Sequence, residues 1–161
     1  MDGMVNSFTP TADEGAKVLF VTDELRQEIS KYMLVLEHQA KVLQKVAQAG
    51  GGDDQEIAVR AMERCLQISI ECIADSGNRL IDALIMRDPS SYVDIVEILQ
   101  DEGVVSSELA EPLKQIVQYR RVLVQDYTAD HTQDVYRLAA MYRHLQAYST
   151  AIKGYVSGSH W

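Results

Sequence analysis

Arg120 stands in an apolar stripe, an unusual place for a charge that does not titrate. Counted at spacings of three and four, Leu113, Ile116, Val117, Arg120, Leu123, Val124 and Tyr127 fall on one helical face. A guanidinium among aliphatics needs a partner, because an unpaired buried charge is costly, and its planar fork of donors matches carboxylates and phosphate oxygens. Two readings follow: a core arginine satisfied from a neighbouring helix, or an arginine at a polar cleft that grips phosphate. Tyr127, seven residues on, is expected to share the face of Arg120, whereas Gln125 is rotated by about 140° from it on an ideal helix. Arg121 lies four residues before Gln125 and adds local positive charge.

The counter-charge is sought on the longest helical pattern. There Arg64, Gln67, Glu71, Asp75, Asn78 and Asp82 recur at three-and-four spacing as a polar ridge through an apolar segment that includes Ile68, Ile70, Ile73, Leu80, Ile81, Leu84 and Ile85. The ridge is either a solvated face or the surface that meets Arg120. In the second case Glu71 or Asp75 pairs with the guanidinium, and Asp75 is the expected partner.

These residues need elements to hold them. Residues 1–17 mix Gly, Ser, Thr, Pro and acids without period and read as a disordered leader. From Thr22 or Asp23, a cap, the residues Leu25, Ile29, Met33, Leu36, Ala40 and Leu43 keep a helical period until Gly50-Gly51-Gly52. A second helix is expected from about Gln55 to Met86, ended by Arg87-Asp88-Pro89. Ser91 with Asp94 resembles a capping box for a short helix ending near Gly103. Ser106 or Ser107 caps the next, running through Arg120 to about Tyr127. Asp130 or Thr132 caps the last, which carries Val135, Leu138, Ala139, Tyr142, Leu145, Tyr148 and Ile152. Four long helices and one short one on short loops make an all-α, antiparallel four-helix bundle over residues 18–157, with 158–161 as a tail.

Composition limits the function. The chain has 161 residues, 47% hydrophobic, enough for one core, and a formal charge of −9 that repels polyanions on average. Nucleic acid would have to be met by a local basic cluster, not by a general field. No run approaches the roughly 18 apolar residues of a membrane span, and no signal peptide is apparent, so a cytoplasmic location is expected. Cys65 and Cys72 lie seven apart, about 10 Å along a helix axis, too far for a disulfide. They read as core residues, and the four histidines share no ligand spacing with them, so no metal and no cofactor are expected.

The Arg120 segment resembles the signature R-x-x-x-x-H-x-Y of the HepT-type HEPN-domain proteins: Arg120 matches the arginine and Tyr127 the tyrosine. The blocks Ile70-Glu71-Cys72-Ile73-Ala74-Asp75-Ser76-Gly77-Asn78 and Ile85-Met86-Arg87-Asp88-Pro89-Ser90-Ser91-Tyr92 resemble the YutE-like branch. Together the three blocks extend the resemblance over about residues 18 to 155. It implies a homodimer with two signature helices facing across a cleft, and metal-independent endoribonuclease activity toward RNA by a toxin. It also implies a nucleotidyltransferase antitoxin that adenylylates the tyrosine, here Tyr127. The motif histidine is replaced by Gln125, which does not titrate near neutral pH. An attenuated ribonuclease is therefore expected at Arg120 and Gln125, supported by Asp75, Glu71 and Arg121. The alternative is a non-catalytic HEPN dimer that binds RNA, nucleotide or the nucleotidyltransferase. His131, near a helix N-terminus that disfavours its protonated form, is a candidate substitute for the missing histidine.

Overall fold

A computed structural model describes residues 21–50 and 54–158. The expected leader 1–17 and most of the expected tail fall outside the described residues. The helices are α1 (Asp23–Ala49), α2 (Gln55–Ala83), α3 (Tyr92–Asp101), α4 (Ser107–Gln118), α5 (Arg120–Gln125), α6 (Thr132–Ala139) and α7 (Tyr142–Ser157). Helix α2 is the hub, packed against α1, α3, α4, α5 and α6, while α7 closes the bundle on α1 and α4. Two of the four long helices are each built from two pieces, α4 with α5 and α6 with α7. The fold is all-α as expected, with α3 as the extra short helix.

The first helix follows its local signals. Thr22 accepts the Leu25 amide, and Gly50 adopts the left-handed conformation at the far end, φ 67°. All six residues of its apolar stripe are buried. Helix α2 ends three residues before the expected Met86, for a reason no glycine announces. The Met86 amide donates to the Ile81 carbonyl at 3.0 Å, and the Ile85 amide reaches Asp82 at 3.4 Å. This is the double hydrogen bond of a Schellman cap, with Ile85 in the left-handed position usually given to glycine, φ 53°. Met86 consequently turns inward, while Ile85, expected among the apolar residues of the helix, is 89% exposed.

The third long helix also departs from expectation. It breaks at Tyr119, so the buried stripe of Leu113, Ile116 and Val117 stops there. Leu123 is only partly buried, and Val124 is exposed. The last helix bends at Ala140 and Met141, yet all seven residues of its expected stripe are buried.

Two small residues let the hub be approached closely. A Cβ on Gly77 would lie 2.5 Å from Ile95 Cγ2, so glycine there permits α3 to press against α2. Beside it, buried Ser76 donates to the Cys72 carbonyl at 2.6 Å and meets the Tyr148 hydroxyl of α7 at 2.8 Å. Cys65 and Cys72 are free, buried core residues as expected. Burial pushes the Cys72 thiol up to about 11, with smaller contributions from Asp75 and Glu71.

Candidate active site

The site is assembled where α2, α3 and the start of α5 meet. Its approach begins in the segment Arg87 to Ser91. Arg87 forks onto Asp94, with Nη1 to Oδ2 at 2.8 Å and Nη2 to Oδ1 at 2.5 Å. The amide and hydroxyl of Ser90 donate to the same carboxylate, and the Asp94 amide donates to Ser91 Oγ. The expected capping box is therefore present in altered form, its return bond reaching Ser90 in place of Ser91. The guanidinium of Arg87 and the Ser90 amide hold the Asp94 carboxyl well below the usual carboxylate range. This clasp fixes the first residue of α3, Tyr92.

From there Tyr92 reaches α2, donating its hydroxyl to Glu71 Oε2 at 2.8 Å. Arg120 Nε donates to the other oxygen, Oε1, at 2.6 Å. The Arg120 guanidinium carbon lies 4.8 Å from the centre of the Tyr92 ring, a cation–π contact. One carboxylate thus ties the arginine and the phenol together, and the phenol ring lies against the arginine. Arg120 keeps 41% of its side chain exposed, and its Nη1 and Nη2 make no hydrogen bond among the described residues. The hydrogen bond to Glu71 raises the pKa of Arg120, and desolvation followed by the Glu71 bond raises that of Tyr92. A fixed guanidinium with both terminal nitrogens open can accept an oxyanion.

The expected counter-charge needs correction: the partner of Arg120 is Glu71, not Asp75. The two acids stand one turn apart on the same ridge, and Arg120 meets the earlier turn. Asp75 remains exposed, its carboxyl raised by partial desolvation and then by the negative charge of Glu71.

The shared face of Arg120 and Tyr127 is also lost. Helix α5 ends at Gln125, and Asp126 leaves helical geometry at φ −101°, ψ 56°. Tyr127, 84% exposed, lines a separate groove with Arg60, Glu63, Asp130 and His131. Glu63 and Glu71 are eight residues apart, so the two places are separated by about 12 Å along α2. Gln125 and Arg121 are both exposed, and Arg121 forms no ion pair among the described residues. His131 is engaged elsewhere: its Nε2 lies 3.0 Å from the Asp126 carbonyl and 3.1 Å from Asp126 Oδ2, with the ring edge-on to Tyr119.

The family model described as ribonuclease HepT-like matches residues 35–153. The chain belongs to the HepT-like ribonuclease family. YutE of Bacillus subtilis is 37% identical over 130 residues, 81% of this chain and 83% of YutE. The solved structure of YutE, described as a cytosolic protein, matches with a TM-score of 0.72 at 35% identity, covering 84% of this chain and 92% of that one. A tri-AMPylated Shewanella oneidensis HEPN toxin, solved in complex with its MNT antitoxin, shares the fold at a TM-score of 0.70 and 19% identity, covering 78% and 96% of the two chains.

Within this HepT-like chain, one member of the arginine's surroundings escaped the motif reading. Tyr92 lies between Ser91 and Asp94, the two residues whose types signal a helix cap. Its place as the third residue after Pro89, at the head of a helix, was the available signal.

Proposed function

We propose that this HepT-like chain is a slow, metal-independent endoribonuclease that works as a homodimer beside a nucleotidyltransferase antitoxin. The reading is carried by the open guanidinium edge of Arg120, fastened through Nε to Glu71 and left free at Nη1 and Nη2. In RNA cleavage the 2′-hydroxyl attacks phosphorus, the bond to the 5′-oxygen breaks, and negative charge builds on the phosphoryl oxygens. Arg120 stabilises that charge. The proton of the attacking hydroxyl and the one taken by the leaving oxygen exchange with water, because Gln125 cannot carry them. Loss of one acid–base group costs about 10²- to 10⁴-fold in rate, which makes the enzyme slow without removing its phosphate grip.

The homodimer reading draws on Val124 and Tyr127, apolar or aromatic side chains exposed around the end of α5. The antitoxin reading draws on the AMPylated HEPN toxin solved with its MNT antitoxin and on the accessible phenol of Tyr127. Incubation of purified protein with total RNA tests the central claim. Wild type is expected to cleave slowly, Arg120→Ala not at all, and Gln125→His at least tenfold faster, a gain in the range of general acid–base catalysis. Equal background cleavage by wild type and Arg120→Ala removes the ribonuclease reading.

Gln125, together with the engagement of His131 by Asp126, favours a second reading in which the dimer binds RNA or its partner without cutting. RNA binding that depends on Arg120, with no cleavage by wild type, is its signature.

A further inference from the structure

We infer that Tyr92 is a positioning residue for Arg120, and that the Arg87–Asp94 clasp is the device that aims it. The inference rests on the reading of Arg120 as the phosphate-binding group, but its geometry stands apart from that reading. An arginine side chain turns about four bonds, and Glu71 restrains only its Nε. Rotation about the remaining torsions would still swing the two Nη groups. Tyr92 removes that freedom twice: its ring lies 4.8 Å from the guanidinium carbon, and its hydroxyl fixes Glu71 through the oxygen that the arginine does not use. Carboxylate, ring and guanidinium therefore restrain one another, while the donor edge stays open.

The placement of Tyr92 is itself over-determined. Ser91 caps α3, and Arg87 with Ser90 holds buried Asp94 two residues beyond Tyr92. Gly77 lets Ile95, in the same turn of α3, close onto α2. These contacts all converge on the first turn of a helix whose leading side chain faces Glu71. A clasp serving only to start a ten-residue helix would not need that side chain to be an aromatic donor.

The test has one arm that does not involve RNA. In nitrogen–proton spectra of the arginine side chains, the Arg120 Nε proton, assigned by its loss in Arg120→Lys, should exchange slowly and carry a ring-current shift. Tyr92→Phe should keep the ring-current shift and exchange faster; Tyr92→Leu should lose both. In the second arm, single-turnover cleavage should fall about tenfold in Tyr92→Leu, with a smaller fall in Tyr92→Phe. KM should stay within about twofold in both, as expected for a change in alignment rather than uniform binding. Thermal midpoints above the assay temperature separate this from loss of folded protein. An Arg120 Nε signal unchanged in Tyr92→Leu overturns the inference, as does wild-type turnover by that variant where wild-type cleavage depends on Arg120. If Arg120→Ala cleaves like wild type, the ribonuclease reading fails instead, and the spectra alone decide the positioning role.

Discussion

Glu71 and Ser76 stand five residues apart on α2, both polar in an apolar neighbourhood, and the bundle treats them in opposite ways. Ser76 is closed off. It donates to Cys72, meets the Tyr148 hydroxyl, and that hydroxyl also lies 3.2 Å from the Ile73 carbonyl, all without solvent. Burial pushes the Tyr148 phenol above its ordinary range, so the knot is neutral around neutral pH. At Glu71 both carboxylate oxygens are also occupied, but the group they hold keeps its outer donors free and stays half in water. Polar groups that join helices are saturated, whereas one that faces outward to act is anchored on one side only.

The contrast can be broken first at its support. Gly77→Val should unfold the protein or destabilise it by about 3 kcal/mol or more in denaturant titration, since the added carbons enter space held by Ile95. Next, Tyr148→Phe should cost about 1–2 kcal/mol by opening the buried knot, with RNA cleavage per folded molecule unchanged. Glu71→Gln should reverse this pattern. Both partners of its ion pair are more than a third exposed, so the stability change should stay below about 1 kcal/mol. Cleavage should nevertheless fall with the loss of the charged anchor. A Glu71→Gln variant as active as wild type would show that the open arginine needs no anchoring, erasing the distinction.

A further expected effect lies in the clasp and depends on pH. Asp94 is depressed in the folded chain, so its contribution is complete above the ordinary carboxylate pKa of about 3.9 and is lost as pH falls toward the folded value. Asp94→Asn should therefore lower stability at neutral pH and flatten the acid side of the stability profile. An unchanged acid limb would mean that the Arg87 fork contributes little.

Local chemistry made much of the bundle legible. Thr22 and Gly50 bracket α1 with ordinary capping residues, and the buried stripes of α1 and of α6 with α7 could be counted at helical spacing. The end of α2 could not, because Ile85 occupies a left-handed position where the usual marker is glycine. Nor could the break at Tyr119, a helix-compatible residue in an uninterrupted pattern, nor the end of α5 at Gln125; once Asp126 leaves helical geometry, spacing from Arg120 no longer predicts where Tyr127 lies. The ridge identified the right pair of acids but not the pairing. Glu71 and Asp75 share a face, and only tertiary packing decides which turn the guanidinium meets.

The two cysteines have a practical consequence. Both are buried, and desolvation raises both thiols, so neither should react readily with alkylating probes in the native state. A cysteine introduced at exposed Val124 would then carry a spin label or fluorophore by itself in the unmodified background. Label-to-label distances from that position would test whether two copies bring their α5 helices together, a coordinate that a single chain cannot supply.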